Sequence, residues 1–349
     1  MQCSAKPDRL LFADNGKRWL MFKFSEDECD VADRDKLKRY REHATRWFDW
    51  LETDDEHAIT RQLSDLMWHD ATFRILNEAR RLDGAEASSS RAPLLAQFID
   101  QGYVAGQVLG ISKLVEPSSN VPNTKRGVVS LKRLVDELSS NRDLFTREVF
   151  VSHDGLPYDY AAVEQAYLAK RFERHGTEPG FEWMDTEGPG AWDTAERLHE
   201  LFDRLSGIKP DARQRGDRLP DGVFDRLLKA LGDPVFEGIR ILRHKRLAHA
   251  ADAVSRLQKI AKSGLKMDET AQAHRILLGV LQAISAGLLY GSWRASAIPV
   301  AQFSIFEHFP EPLVREDQVG RLRESWDRNA AERDQWLKDG YADLLGLPA

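Results

Sequence analysis

Apolar residues recur every three or four positions along most of the chain, which is the spacing of one buried face of an α-helix. The pattern predicts helices at about residues 33–53, 56–82, 92–115, 131–138, 223–231, 233–262 and 268–290. Ser130 and Asp233 stand where N-caps are expected, and Pro234 suits a first helical position. We therefore expect an all-α fold, a helical bundle.

The distribution of glycine, proline and charged residues predicts where the helical bundle begins and ends. Residues 1–33 are predicted to be irregular, with room for a short strand at 18–24, and residues 34–294 to form the helical domain. Residues 152–221 are rich in Gly and Pro, and we interpret them as an insertion that carries helical pieces at about 159–174 and 192–206. Residues 295–349 are predicted to be an irregular stretch followed by a charged helix.

Composition narrows the class of protein. The chain has 349 residues, 42% of them hydrophobic, which is enough to bury a core. Its net charge of −6 argues against a protein that coats nucleic acid through its overall charge. Only Cys3 and Cys29 are present, which excludes a disulfide framework or a four-cysteine zinc site and suits a reducing, cytoplasmic compartment. The most apolar stretch, 276–290, is too short to span a bilayer, so no membrane partner is expected.

The charge is unevenly distributed. Between residues 240 and 266 there are eight Lys or Arg residues against the single Asp252. The helix that begins at Asp233 has an apolar face, around which stand Arg240, Arg243, His244, Lys245, Arg246 and His249. His titrates near neutral pH and Arg binds phosphate oxygens in a fork, so this segment is the candidate for chemistry.

Residues 243–249, which read RHKRLAH, resemble the signature of the HEPN superfamily, all-α domains named for nucleotide binding in higher eukaryotes and prokaryotes. That signature is an Arg, a polar residue and a His four to six residues after the Arg, matched here by Arg243, His244 and His249. The abortive-infection subgroup offers further similarities, namely Trp68-His-Asp70, Lys113-Leu114 and Ser130-Leu131-Lys-Arg-Leu134. The resemblance covers about residues 34–151 and 222–292.

The resemblance implies a metal-independent endoribonuclease that uses the 2′-OH of RNA as nucleophile and needs no cofactor. His249 is then the general acid or base, Arg243 holds the phosphate and His244 supports them. Arg240, Lys245 and Arg246 are expected to bind substrate. The implied biology is that of a toxin or an anti-phage defence effector, with an antitoxin or sensor protein as a further partner.

Helical geometry separates the two leading residues. Six positions at 100° each place Arg243 and His249 about 120° apart on an ideal α-helix, and Arg246 is the closer neighbour of His249. The resemblance implies a homodimer in which two copies of the segment form one composite active site. Pairing of the two segments would concentrate positive charge on both sides of a cleft that attracts RNA.

Other interpretations stay open at this point. The chain is alternatively a non-catalytic helical domain that binds a nucleotide or a protein partner, because a fold does not fix a function. His249 alone also suits a histidine favoured by a helix C-terminus. A metal held by His244, His249 and Asp252 is a distant third interpretation, since the sequence has no His-Glu-x-x-His set. It also lacks a phosphate-binding Gly-x4-Gly-Lys-Ser/Thr loop.

Overall fold

The computed structural model describes residues 22–54, 56–82, 93–117, 127–176, 183–248, 265–290, 296–298 and 301–302, with a few positions between 317 and 331. Within these ranges the protein is helical and contains no strand or sheet, which confirms the all-α prediction. None of the described helices combines the length and the apolar content that crossing a bilayer requires. The helices, in chain order, are α1 Arg34–Phe48, α2 Ile59–Leu82, α3 Pro93–Leu114, α4 Leu131–Ser140, α5 Arg147–Ser152, α6 Tyr160–His175, α7 Trp192–Ser206, α8 Asp221–Leu231, α9 Pro234–Leu242 and α10 Met267–Gln282.

Three of these helices widen at their C-terminal ends into π-helical turns. The π-helical turns are Asp49–Thr53 after α1, Arg243–Ala248 after α9 and Ala283–Leu288 after α10. Short 3₁₀ turns at Glu26–Glu28, Arg142–Leu144 and Pro210–Ala212 complete the helical elements. A π-helical turn inserts an extra residue into the hydrogen-bonding pattern and is frequent at functional sites.

Helix starts follow the capping residues in the sequence. The Ser130 hydroxyl accepts the backbone N–H of Arg133 at the start of α4, and the Asp233 carboxylate accepts that of Val235 at the start of α9. Each side chain thereby satisfies a donor that the first helical turn leaves unpaired.

Among the described residues, buried apolar side chains between Cys29 and Leu289 form a hydrophobic core. Its aromatic centre joins α1 to the segment before α5. Trp47 of α1 stacks on Phe145 at 5.9 Å between ring centroids, and Tyr40 meets the same ring edge-on at 5.8 Å. The segment 152–221 contributes to this core, because Leu198 and Phe202 of α7 are fully buried within it. The helix α7 is therefore part of the common core.

A buried set of ion pairs fastens that segment to α5. Arg147 is completely buried and donates to Asp203 of α7 at 2.7 Å and to Asp217 at 2.8 Å. Arg213 donates to the other oxygen of Asp203 at 2.7 Å, and the Arg147 guanidinium lies 4.5 Å from the centre of the Phe202 ring. Beside this cluster the backbone of residues 145–148 exchanges hydrogen bonds with residues 215–219.

The N-terminal segment is held by loops of the core. Residues 22–24, the described part of the expected strand at 18–24, adopt irregular backbone, and residues 18–21 lie outside the described ranges. The backbone N–H groups of Lys23 and Phe24 both donate to Asp154. The Phe24 ring lies against Gly155 and Gly188, two glycines with positive φ, so closely that neither position has room for a Cβ atom.

The C-terminal residues 300–349 form a separate compact unit. Its described positions between 320 and 331 are helical, within the range expected for a charged helix.

Candidate functional site

The segment singled out by the sequence begins on α9 and continues into the π-helical turn Arg243–Ala248. Arg243, His244 and Lys245 are described and half-buried. The side chain of Arg246 and the whole of His249 lie outside the described residues, so the structure gives no distance between Arg243 and His249. The angle of about 120° assumes α-helical geometry, and that assumption fails after Leu242, where the π-helical turn starts.

Arg243 and His244 line a cavity of about 430 Å³. Its walls come from the C-terminal end of α3, the turn between α8 and α9, and one face of α9. The lining residues are Ser112, Val115, Glu116, Pro117, Leu231, Gly232, Asp233, Phe236, Glu237, Arg240, Arg243 and His244. Phe236, Arg240, Arg243 and His244 follow the spacing of a single helix face, which explains why they share this wall.

Arg243 is held between two side chains. Its guanidinium lies 3.5 Å from the Glu116 carboxylate, and its side chain is 21% exposed. It also lies 3.2 Å from Nε2 of His244. Because an arginine can only donate, this contact requires Nε2 of His244 to be the unprotonated nitrogen. The two side chains are therefore neighbours in the wall of the cavity.

The remaining cations have different surroundings. Arg240 donates to both carboxylate oxygens of Glu237, each at 2.7 Å, and this bidentate pairing raises the pKa of the arginine. Lys245 lies outside the residues that line the cavity. Of the six residues proposed from the sequence, the structure therefore brings Arg240, Arg243 and His244 to one cavity.

Sequence reasoning missed Glu116 and Ser112. Both come from the end of α3, more than 120 residues before Arg243. The only signal near them was the Lys113-Leu114 pair, which marks a helix end but does not indicate a contact with α9. Leu114 is fully buried and anchors that helix end in the core.

Residues 68–70, which resemble a motif of the abortive-infection subgroup, lie on α2 and do not line the cavity. Asp70 accepts from the Tyr103 hydroxyl at 2.6 Å and from Arg74 at 2.7 Å, linking α2 to α3. About 17 Å of α3 separates Tyr103 from the end that lines the cavity. Asp70 therefore fastens two helices together and is not one of the residues that line the cavity.

A second buried polar contact joins α10 to α3. The Gln107 amide donates to the Leu66 carbonyl at 3.2 Å, so its oxygen is free to accept from Nε2 of His274 at 2.9 Å. Burial lowers the pKa of His274 to about 4, and the imidazole is neutral at physiological pH.

Within the described ranges, no group of three or more His, Cys, Asp or Glu side chains is arranged to hold a metal ion. No protein-family model, no curated protein and no solved structure matches this chain.

Proposed function

We propose that this protein is a metal-independent endoribonuclease of the HEPN type, with Arg243 and His249 as its leading residues. The observation that carries the proposal is the position of Arg243. It lines a cavity, its side chain is mostly buried, and it lies 3.2 Å from Nε2 of His244. A fixed, partly desolvated guanidinium is well suited to bind a phosphate and to offset charge that develops on it.

The chemistry uses the nucleophile that RNA carries. His249 removes the proton of a 2′-OH, the 2′-oxygen attacks the adjacent phosphorus, and Arg243 stabilises the phosphorane. The bond from phosphorus to the 5′-oxygen then breaks, and that oxygen takes up a proton. The products are a 2′,3′-cyclic phosphate and a 5′-hydroxyl, with no net gain or loss of water or electrons.

The cationic stretch from Arg240 to Lys266 supplies the electrostatic part of the proposal. Arg240, Lys245 and Arg246 bind the RNA backbone on either side of the cleaved bond. We further propose a homodimer with a composite active site, in which the second copy brings its own cationic stretch to the same RNA. The activity is that of a toxin or anti-phage effector, under the control of an antitoxin or sensor protein.

The direct test is RNA cleavage in the presence of EDTA. The wild type is expected to cleave total RNA and to leave 2′,3′-cyclic phosphate ends, because the mechanism uses no metal. His249→Ala and Arg243→Ala are each expected to reduce the rate by about 10²-fold or more, the usual contribution of such groups. Matched controls are His69→Ala and Arg226→Ala, which change exposed side chains of α2 and α8.

Cleavage that needs a divalent metal, or that survives both site variants, would overturn this proposal. In cells, induction of the wild type is expected to arrest growth, and induction of His249→Ala is not. Equal arrest by both would remove the support for a catalytic role.

A second candidate function is a non-catalytic helical domain that binds a nucleotide or a protein partner. The cavity favours it, because about 430 Å³ lies within the range of small-molecule sites. Absence of cleavage together with a nucleotide-dependent rise in Tm would favour this second function.

A further inference from the structure

The three carboxylates of the cavity differ in how fully they are hydrogen-bonded. Asp233 accepts the N–H of Val235 and the amide of Gln272, and Glu237 accepts both donors of Arg240. Among the described residues, the Glu116 carboxylate has only the 3.5 Å ion pair with Arg243, which is too long for a strong hydrogen bond. Glu116 therefore retains most of its capacity to accept hydrogen bonds.

Ser112 adds a second unused polar group to the same cavity. It is 3% exposed, and its buried hydroxyl has no hydrogen-bond partner. A buried polar atom without a partner costs about 1–3 kcal/mol, and most such atoms in native proteins are paired. Ser112 lies in the last turn of α3 and Glu116 two residues beyond its end, and both line the cavity.

The rest of the lining includes several apolar side chains. Val115, Pro117, Leu231 and Phe236 supply the apolar part of the lining around the Glu116–Arg243 ion pair. Small-molecule sites generally combine such apolar walls with a few convergent polar groups. The cavity thus offers an acceptor, a hydroxyl, an apolar wall and a phosphate-binding arginine.

We propose that this cavity is a base-recognition subsite for guanine, with Glu116 as the residue that determines specificity. Guanine carries two adjacent donors on its Watson–Crick edge, the ring N1–H and the amino group at C2, and these match the two oxygens of one carboxylate. Adenine, cytosine and uracil each lack that adjacent pair of donors. The Ser112 hydroxyl then donates to the guanine O6 carbonyl, and the base lies along the apolar wall.

This inference rests on the proposed ribonuclease function, since it places the guanosine beside the phosphate that Arg243 binds. It predicts that the enzyme prefers guanosine next to the bond that it cleaves. The subsite itself can be measured without cleavage, because nucleotide binding does not need His249.

The test is calorimetric titration of the full-length His249→Ala variant with the 3′-monophosphates of guanosine, adenosine, cytidine and uridine. Guanosine 3′-monophosphate is expected to bind at least about tenfold more tightly than the others, as a bidentate base contact usually provides. Glu116→Gln is expected to abolish that preference, because an amide presents one donor and one acceptor in place of two acceptors. Ser112→Ala is expected to weaken guanosine binding by a smaller factor.

The matched control is Glu173→Gln, which makes the same change at an exposed position of α6 and is expected to keep the preference. Equal affinity for all four nucleotides, a preference that survives Glu116→Gln, or no binding at millimolar concentration would each overturn the guanine subsite. RNA cleavage by the wild type without base preference would refute the subsite alone. Guanosine binding without cleavage would leave the subsite standing and refute the ribonuclease.

Discussion

Arg147 is fully buried, and its charge is offset by two carboxylates that follow it by 56 and 70 residues. Asp203 pairs with two arginines, because one of its oxygens accepts from Arg147 and the other accepts from Arg213. Removing one partner of a buried ion pair leaves a charge without compensation, which is far more costly than the loss of an exposed pair.

Asp203→Asn is expected to lower the free energy of unfolding by about 3 kcal/mol, because the neutral amide cannot offset two guanidinium groups. Urea unfolding followed by circular dichroism measures this change. Asp193→Asn on the same helix is the matched control, because it breaks an ion pair with Arg197 whose partners are 29% and 65% exposed. That substitution is expected to change the free energy by less than about 1 kcal/mol. Equal effects of the two substitutions would refute the role assigned to the buried pair.

At the scale of elements, two loops close on the Phe24 ring and fix the segment that precedes α1. Gly155 and Gly188 both have φ near +80°, a region that glycine enters without steric cost. A Cβ atom at Gly155 would lie 2.5 Å from Phe24 Cγ, and one at Gly188 would lie 2.4 Å from Phe24 Cζ. The ring therefore occupies the space that a side chain at either glycine would need.

Gly155→Ala is expected to destabilise the protein by at least about 1 kcal/mol more than Gly207→Ala, because overpacking adds to the backbone strain. Gly207 ends α7 with φ of +74° and has open space where a Cβ would stand, so its substitution measures the strain alone. Thermal unfolding of the two variants supplies the comparison. Indistinguishable Tm values would show that Phe24 moves aside without cost.

Local sequence patterns predict where helices begin and end, but they do not predict which distant segments the helices contact. The apolar spacing and the capping residues Ser130 and Asp233 were enough to place α4 and the start of α9, because both signals are local. The π-helical turn at Arg243–Ala248 was not predicted, since the spacing of apolar residues there is compatible with an ordinary α-helix. Glu116 was missed because its contact with Arg243 joins distant segments.

At the scale of the whole molecule, burial lowers the pKa of several histidines, among them His199 and His274. His199 donates from Nε2 to the Tyr158 carbonyl, and its Nδ1 is buried without a partner. Burial lowers the pKa of His199 to about 4, and burial lowers the pKa of His274 in the same direction. The unfolded chain binds protons at both positions near pH 6.5, and the folded chain does not.

Stability is therefore expected to be highest above about pH 6.5 and to fall as the pH falls toward 4, because protons bind the unfolded state more strongly. Urea unfolding at pH 7 and pH 5 measures the loss. His199→Gln is expected to lose less stability between these two values than the wild type, since one of the histidines whose pKa is lowered by burial no longer titrates. The exposed His69→Gln variant is the control and should lose as much as the wild type. A loss in His199→Gln that equals that of the wild type would refute this account.

At this scale the fold class could be predicted from the sequence, but the contacts between distant segments could not. Helical periodicity was sufficient to predict an all-α protein, because several helices, such as α4, α7 and α8, bury one apolar face. The Gly- and Pro-rich composition of residues 152–221 gave no sign that Phe202 reaches the common core, or that Arg147 is buried beneath this segment. An arginine in a sequence normally indicates surface, and its burial follows only from partners that the folded topology supplies.

The 70 residues between Arg147 and Asp217 also have a consequence for the time course of folding. Closing a loop of that length costs about 4 kcal/mol of chain entropy before the pair contributes anything in return. We therefore expect the salt-bridge network to form late, after the local helices and after the transition state. Asp203→Asn should accordingly accelerate unfolding and leave the refolding rate nearly unchanged in a stopped-flow chevron. On this view the network around Arg147 sets how long the native state lasts more than how fast it is reached.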